Sequence, residues 1–282
     1  NVNGTEQAPV TMTADVANAE QGHWGGLIIN GKAPLSGGET GKTEINNAYV
    51  YGGTVTNDNS GVITYLKLEY TGARSSADVE HNGLTLNGVG SGTKIDNVFI
   101  PNGADDGIEF FGGSVNVKNL LVVNSDDDMF DFTQGYNGTL ENAYGIWEAG
   151  YVSSESDPCG VEADGNLDGN NPTQAGQSSF TIKNVTIDLR LDASTTKGKF
   201  MLRRGARVTI ENALVKGKGQ VEDIVDMTDK KSAGDASSVI NITNTLTSPF
   251  SGVEKNGVAN ITVGGSNAGC PTNIFGWTGY KF

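Results

Sequence analysis

The stretch DDGIEFFGGSVNVKNLLVV (residues 105–123) is followed almost at once by a second version of itself, DDMFDFTQGYNGTLENAYGI (residues 127–146), and the two start 22 residues apart. Each version opens with two carboxylates and alternating apolar residues, and later repeats the alternation after an asparagine. A unit this short cannot bury its own apolar face, but copies stacked on one another can. The stretch therefore predicts a solenoid with coils of about 22 residues.

The second half of this unit recurs along the chain as an apolar residue, any residue, an asparagine and alternating apolar residues. Its copies are IDNVFI (95–100), VKNLLVV (117–123), LENAYGI (140–146), IKNVTI (182–187) and IENALV (210–215). Each copy is too short for a helix and has the period of a strand. The leucine consensus of a leucine-rich repeat is missing, and a propeller blade would need about twice the period. We therefore expect an all-β fold, a right-handed parallel β-helix.

The first half of the unit aligns in the same way, through NGLTLNG (82–88), DGIEFFGG (106–113) and DDMFDFTQ (127–134). Because side chains alternate between the two faces of a strand, every second residue of these segments should face the core. The alignment predicts one inward row of Leu84, Ile108 and Phe130, a second inward row of Leu86, Phe110 and Phe132, and an outward row of Thr85, Glu109 and Asp131.

The same register stacks acidic residues in successive coils. Two unit charges about 5 Å apart at an effective dielectric constant of about 20 repel each other by roughly 3 kcal/mol. Calcium relieves such repulsion, since it takes about six to eight oxygen ligands. The alternative is a solvated acidic face on which Asp and Gly serve as turn formers. The predicted calcium ligands are Asp105 stacked on Asp127, Asp106 on Asp128, and Glu109 on Asp131.

A second calcium site is predicted in DGNLDG (residues 164–169). Oxygen-bearing residues at positions 1, 3 and 5 and a glycine at position 6 are typical of a calcium loop. Position 12 is Ala175, so the bidentate glutamate of an EF-hand is missing and another coil would have to donate a carboxylate. The alternative is a plain polar turn. The predicted ligands are Asp164, Asn166 and Asp168, with Glu162 close by.

Composition and charge limit the class of protein. The net charge of −14 argues against nucleic-acid binding, which needs clustered Lys and Arg. No stretch approaches about 18 consecutive apolar residues, so we expect no transmembrane segment. The two cysteines, Cys159 and Cys270, fit either one disulfide or two buried thiols. We expect residues 1–282 to form a single domain, with a calcium-loop-like insertion near 153–178.

The chain resembles a family of exported bacterial β-helix surface proteins and lipoproteins, of the type found in Bacteroidetes and marine proteobacteria. The resemblance lies in WGGLIINGKAP (24–34), NDNSGVITYLKLEYTG (57–72), NGLTLNGVGSGT (82–93), DDGIEFFGGSVNVKNL (105–120) and GVEADGN (160–166). It implies a right-handed β-helix and an extracellular or cell-surface location. A chain that starts at Asn1, without a methionine, fits a processed export product as well.

Three classes of function remain open. The first is a non-enzymatic, calcium-stabilised protein of adhesion or extracellular assembly, which could join copies of itself end to end into a filament through strand edges or through NIFGWTGYKF (273–282). The second is a calcium-dependent polysaccharide lyase or a glycoside hydrolase; its candidate catalytic residues are Lys199, Arg203 and Arg204. The third is a module that binds surface glycans through exposed aromatic residues, with the candidates Trp24, Tyr136, Trp147, Tyr151, Trp277 and Tyr280.

Overall fold

The structure is a computed structural model that describes residues 1–38, 40–76, 79–191, 200–218, 221, 223–246 and 260–282. Short β-strands make up almost all of its regular structure. In chain order they are β1 (Val2–Asn3), β2 (Val10–Met12), β3 (Leu27–Asn30), β4 (Gly41–Thr43), β5 (Asn46–Tyr51), β6 (Val62–Leu68), β7 (Leu84–Asn87), β8 (Lys94–Pro101), β9 (Ile108–Phe111), β10 (Asn116–Val123), β11 (Phe130–Thr133), β12 (Thr139–Trp147), β13 (Val161–Asp164), β14 (Ser179–Leu189), β15 (Phe200–Arg203), β16 (Arg207–Gly217), β17 (Val225–Asp226), β18 (Val239–Asn244) and β19 (Asn260–Val263).

The strands form two long parallel sheets that the chain visits alternately. A ten-stranded sheet has the order β1-β6-β8-β10-β12-β14-β16-β18-β19, with β2 also paired to β6. A seven-stranded sheet has the order β17-β15-β13-β11-β9-β7-β3. Each coil thus adds one rung to both sheets, and the predicted parallel β-helix is confirmed. A small antiparallel hairpin, β4–β5, lies outside this pattern.

The predicted inward rows fill the space between the sheets. Leu84, Ile108 and Phe130 are register partners on β7, β9 and β11, and all three side chains are fully buried. In the second row, Phe110 and Phe132 stack with ring centroids 4.8 Å apart, which is within the favourable range for aromatic pairs. The alternation read from the sequence therefore sets the register of the solenoid.

The recurring asparagine occupies one bend in five strands of the ten-stranded sheet, β8, β10, β12, β14 and β16. Asn97, Asn119, Asn142, Asn184 and Asn212 all have φ between 52° and 59°, the left-handed region that Asn tolerates better than most residues. Three of these side-chain amides donate to the asparagine oxygen of the previous coil, over 2.9 Å from Asn142 to Asn119, 2.9 Å from Asn184 to Asn142, and 2.7 Å from Asn212 to Asn184. The asparagine pattern therefore encodes both the bend and a ladder of hydrogen bonds.

Replacing Asn142 tests this ladder. Asn142→Ala removes two amide hydrogen bonds, each of which contributes about 1 kcal/mol, and forces alanine into a φ of 58° at about 1–2 kcal/mol. We expect the free energy of unfolding to fall by about 3 kcal/mol in a denaturant titration. Asn142→Gly is the control, because glycine accepts the backbone angle and should recover about 1 kcal/mol of that loss. Equal stability of both variants and the parent would mean that the ladder contributes nothing.

The C-terminal segment lies along the outer face of the ten-stranded sheet. The Cys270 amide donates to Thr186 Oγ1 over 2.9 Å, and the short 3₁₀ helix Thr272–Thr278 follows. The Trp277 ring packs edge-on against Tyr65 with centroids 5.3 Å apart. This segment, considered from sequence as a contact between copies of the chain, covers apolar side chains on the outer face of the sheet, namely Phe99, Leu121, Val123, Tyr144 and Ile146.

The aromatic residues considered for glycan stacking do not form an exposed platform. Tyr136 and Trp147 are fully buried in the main core, and Trp277 and Tyr280 belong to the cluster under the C-terminal segment. The Tyr151 hydroxyl donates a hydrogen bond to Asp126 Oδ1 over 3.0 Å, which fixes the position of this ring. The indole of Trp24 likewise donates to the carbonyl of Glu69. Their apolar rings fill the solenoid and its covering segments.

Three further expectations can be compared with the structure. Residues 153–178 contain β13, a regular rung of the seven-stranded sheet, so only the loops around this strand are insertions. Cys159 and Cys270 are both buried, as the thiol alternative requires, and no disulfide joins them. Within the described ranges, no helix has the length and apolar character needed to cross a membrane.

Candidate metal-binding cleft

An acidic row runs along the outer face of the seven-stranded sheet. Glu109 of β9 is the register partner of Asp131 of β11, and Asp131 is the partner of Glu162 of β13. The predicted stack of Glu109 on Asp131 is therefore confirmed, and Glu162 extends it by one rung. The sequence had suggested Glu162 only as a neighbour of the DGNLDG loop, because residues 148–160 hide its place in the repeat.

The acidic turns before these strands stack as well. The backbone amide of Asp128 donates to Asp106 Oδ1 over 2.9 Å, and the amide of Cys159 in the next coil donates to Asp128 Oδ1 over 2.5 Å. Each aspartate thus accepts a hydrogen bond from the following rung, which fixes its carboxylate at the cleft. The predicted stacking of Asp106 on Asp128 is confirmed by this contact.

Row and turns together line one open cleft of about 340 Å³. Among the lining residues that the structure describes, Arg203 is the sole cation. Four of the carboxylates were not predicted, because the hairpin and two irregular loops that supply them carry no repeat signal. The lining carboxylates are Glu44, Glu80, Asp105, Asp106, Glu109, Asp127, Asp128, Asp131, Glu155, Asp157 and Glu162.

Three groups of side chains in the cleft come close enough to share an ion. Within each group, one potential ligand atom per residue lies within 4.8 Å of the others. The oxygen-only groups share Asp106, and the third group adds the sulfur of Cys159. The groups are Asp105, Asp106 and Asp127; Asp106, Glu109 and Asp131; and Asp128, Cys159 and Glu162.

Burial and mutual repulsion strongly raise the pKa values of these acids. Burial, followed by repulsion from neighbouring carboxylates, raises the pKa of Asp105 to about 9, and burial and nearby carboxylates raise the pKa of Asp127 to about 7. The same causes raise the pKa of Asp106, Glu109 and Asp131 well above their usual values. Carboxylates in such a place must take up protons or bind a cation. A divalent ion is the more effective of the two, since it offsets several charges at once.

The DGNLDG residues are not brought together. Asp164 ends β13, and its carboxylate contacts Arg203 Nε at 3.3 Å and Arg204 Nη1 at 2.6 Å. The side-chain oxygen of Asn166 accepts the backbone amide of Asn171 over 2.8 Å, and Asp168 lines a neighbouring pocket. The register explains this, because Asp164 is aligned with Arg203 on β15. Calcium binding by this loop stays a prediction that the geometry does not support.

Arg203 and Arg204, two of the candidate catalytic residues, pair with acids. Arg203 Nη2 contacts Glu162, and Arg204 Nε lies 3.3 Å from Asp229, a partner that the sequence did not reveal. Burial alone would lower the pKa of Arg203, but its ion pairs with Glu162 and Asp164 raise it above the usual value. Arg203 is thus a fixed positive charge at one end of the cleft. The third candidate, Lys199, lies outside the described residues.

Comparison with known proteins agrees with this architecture. A family model described as "Pectate-lyase like beta helix domain" matches residues 1–278. Neither the curated proteins nor the solved structures gave a significant match. The match covers nearly the whole chain and fits the two parallel sheets. The chain therefore belongs to the pectate-lyase-like β-helix domain family.

Proposed function

We propose that this is a calcium-stabilised, non-enzymatic β-helix protein of the cell exterior that acts in adhesion or extracellular assembly. The observation that carries the proposal is the cleft itself, in which eleven carboxylates face one arginine. An acidic face without a ligand function would point into solvent. Here Asp106, Glu109 and Asp128 are each less than a tenth exposed.

The donor set favours calcium over other common ions. Two of the three close groups offer oxygen atoms alone, as hard cations require. The cleft is wide and rich in carboxylates, which suits the six to eight ligands of calcium better than the compact octahedron of magnesium. Asn82 lines the same wall, where its side-chain amide donates a hydrogen bond to Glu109 Oε2.

An ion in this cleft would hold successive coils together. Asp105 and Asp106 precede β9, Asp127 precedes β11, and Glu162 lies on β13, so one ion or two neighbouring ions would bind residues of three rungs. These ligands are close to one another only in the folded solenoid, so a metal ion would bind the folded state and not the unfolded chain. Such binding stabilises the fold directly.

Metal content tests the proposal first. Protein equilibrated with calcium and then passed through a desalting column should retain about one or two calcium ions per chain, measured by atomic emission. Glu211→Gln, which removes an exposed carboxylate on β16, should retain the same amount. Retention of less than about a tenth of an ion per chain would leave the acids as a solvated face.

End-to-end assembly is the part of the proposal that concerns a partner. In the described part of the chain, β3 pairs with β7 alone, so its other edge carries unpaired backbone groups at one end of the seven-stranded sheet. Exposed strand edges are templates for pairing with another chain. Electron microscopy with calcium and with EGTA should show filaments that disappear on chelation. A monomer at high concentration in both conditions would remove the filament from the proposal.

A calcium-dependent polysaccharide lyase is the second candidate, because Arg203 reaches the same cleft as the acidic row. An arginine beside a bound cation could bind a uronate carboxylate. Its ion pairs with Glu162 and Asp164 keep it protonated, however, so it is poorly suited to accept a proton. Incubation with polygalacturonate and calcium, followed by ultraviolet absorbance of the unsaturated product, decides between the candidates. Calcium-dependent product that Arg203→Lys abolishes would establish the lyase.

A further inference from the structure

A second cavity lies beside the cleft, under the β4–β5 hairpin. Its volume is about 270 Å³, and the hairpin closes it against the outer faces of β3, β7 and β9. It shares Glu44, Glu80, Asn82 and Glu109 with the acidic cleft. Unlike the cleft, it has walls of hydrocarbon and aromatic rings. The notable apolar lining residues are Ile28, Ile45, Tyr51, Phe111 and Leu167.

The aromatic side of the cavity is preformed. The Tyr51 and Phe111 rings lie 6.3 Å apart in an edge-to-face arrangement, and both are buried with Leu35 in a small cluster. The Tyr51 hydroxyl donates to Gln134 Oε1 over 2.6 Å, which anchors the end of β5 on the solenoid. A ligand would therefore meet a wall that needs no rearrangement.

The charges around this cavity are unbalanced. Its acidic residues are Glu44, Glu80, Glu109 and Asp168, and among its described lining residues Lys42 is the sole cation. Glu80 also has a partner outside the cavity, Arg74, at 3.2 Å. An anionic ligand such as a uronate or a phosphate would be repelled by this surface.

We propose that the cavity under the β4–β5 hairpin binds an organic cation, a primary ammonium carried on a body of about one sugar ring. The carboxylates supply the charge for the ammonium, and Ile28, Phe111 and Leu167 supply apolar surface for the ring. A bare metal ion would gain nothing from the apolar walls, which distinguishes this cavity from the cleft. The class of ligand that fits is an amine-bearing sugar residue.

The size of the cavity sets the length of ligand that it holds. Sites for drug-sized ligands are roughly 300–1,000 Å³, so this cavity holds about one ring and leaves the rest of a longer chain outside. Three of the four acids of the cavity, Glu44, Glu80 and Asp168, belong to none of the three close ligand groups, whereas Glu109 is shared with the cleft. Calcium in the cleft would therefore leave three carboxylates for the ammonium.

Calorimetry with a β-1,4-linked glucosamine tetramer tests the proposal on the full chain. The titration is made in saturating calcium at about pH 6, where the amines are protonated. We expect binding of the tetramer and at least tenfold weaker binding of its fully N-acetylated form, which has the same rings without the charges. Equal binding of both forms would identify a site for neutral sugar and overturn the proposal.

Two variants with opposite charge changes should shift the affinity for the glucosamine tetramer in opposite directions. Glu44→Gln removes one negative charge from an exposed position of the hairpin and should weaken binding about fivefold, a typical effect of an exposed ion pair. Lys42→Gln removes the competing cation and should strengthen binding by a similar factor. Glu211→Gln, far from the cavity, should change nothing. Shifts in the same direction for the first two variants would overturn the proposal.

Discussion

Adding calcium to chelator-treated protein should raise its melting temperature by about 10 °C, as followed by circular dichroism or calorimetry. A ligand that binds the folded state alone, at about a thousand times its dissociation constant, stabilises by about 4 kcal/mol. For a domain of this size, each kcal/mol corresponds to a shift of about 2–4 °C. The cleft meets the condition for this linkage, because the coils align its ligand groups only after they have stacked.

The same measurement should show a characteristic dependence on pH. The pKa of Asp127 is raised to about 7 and that of Asp105 to about 9, against an ordinary value of 3.8. A carboxyl group whose folded pKa exceeds its unfolded pKa contributes stability that is complete below about pH 4 and is lost as the pH rises through the folded values. The metal-free protein should therefore become less stable between about pH 5 and about pH 9, and the calcium-induced shift should grow over the same range.

Magnesium at the same concentration is the control for ionic strength and should give a smaller shift. A metal-free melting temperature that stays constant over this pH range, together with no response to calcium, would contradict the proposed cleft. A response to calcium without the pH dependence would place the ion elsewhere on the chain.

The architecture was accessible from sequence because it is repetitive. Alternation of apolar residues places Leu84, Ile108 and Phe130 in one row, and one-residue shifts would turn them all outward. The same register also aligns the outward-facing residues between the core residues. The stack of Glu109 on Asp131 therefore followed from the same alignment. Local pattern is sufficient wherever each coil repeats the one before it.

The parts that the sequence missed come from segments outside the repeat. Glu44 arrives on a hairpin, and Glu155 and Asp157 arrive on a loop that is held by hydrogen bonds to Asp126. In the structure the DGNLDG side chains bind other partners for a related reason, because a motif specifies the spacing of ligands but does not exclude competing ion pairs. Asp164 meets Arg203 across one rung, and this ion pair depends on register and not on the loop.

Asp131→Asn should show separately how much the charge repulsion in the cleft destabilises the metal-free protein and how much calcium binding in the cleft stabilises it. Asp131 lies between Glu109 and Glu162 in the acidic row, so its carboxylate is the one that both neighbours repel. Asparagine has nearly the same shape without the charge. At about pH 8 we expect the metal-free variant to melt several degrees above the metal-free parent, whereas the shift caused by calcium should fall to less than about a quarter of the parent's value.

A variant that is more stable than the parent without metal but gains less stability from calcium identifies Asp131 as a metal ligand and not as an acid that stabilises the fold. An aspartate that serves the fold by accepting hydrogen bonds would destabilise the protein when replaced, with or without calcium. Glu211→Gln is the matched control, because the Glu211 carboxylate is exposed, belongs to the ten-stranded sheet and lies 3.6 Å from Lys183 of the same sheet. It should leave both melting temperatures within about 1 °C of the parent, since exposed pairs contribute little. If Asp131→Asn lowers the metal-free melting temperature and keeps the full calcium shift, the acidic row is a structural feature and the ion must bind without it.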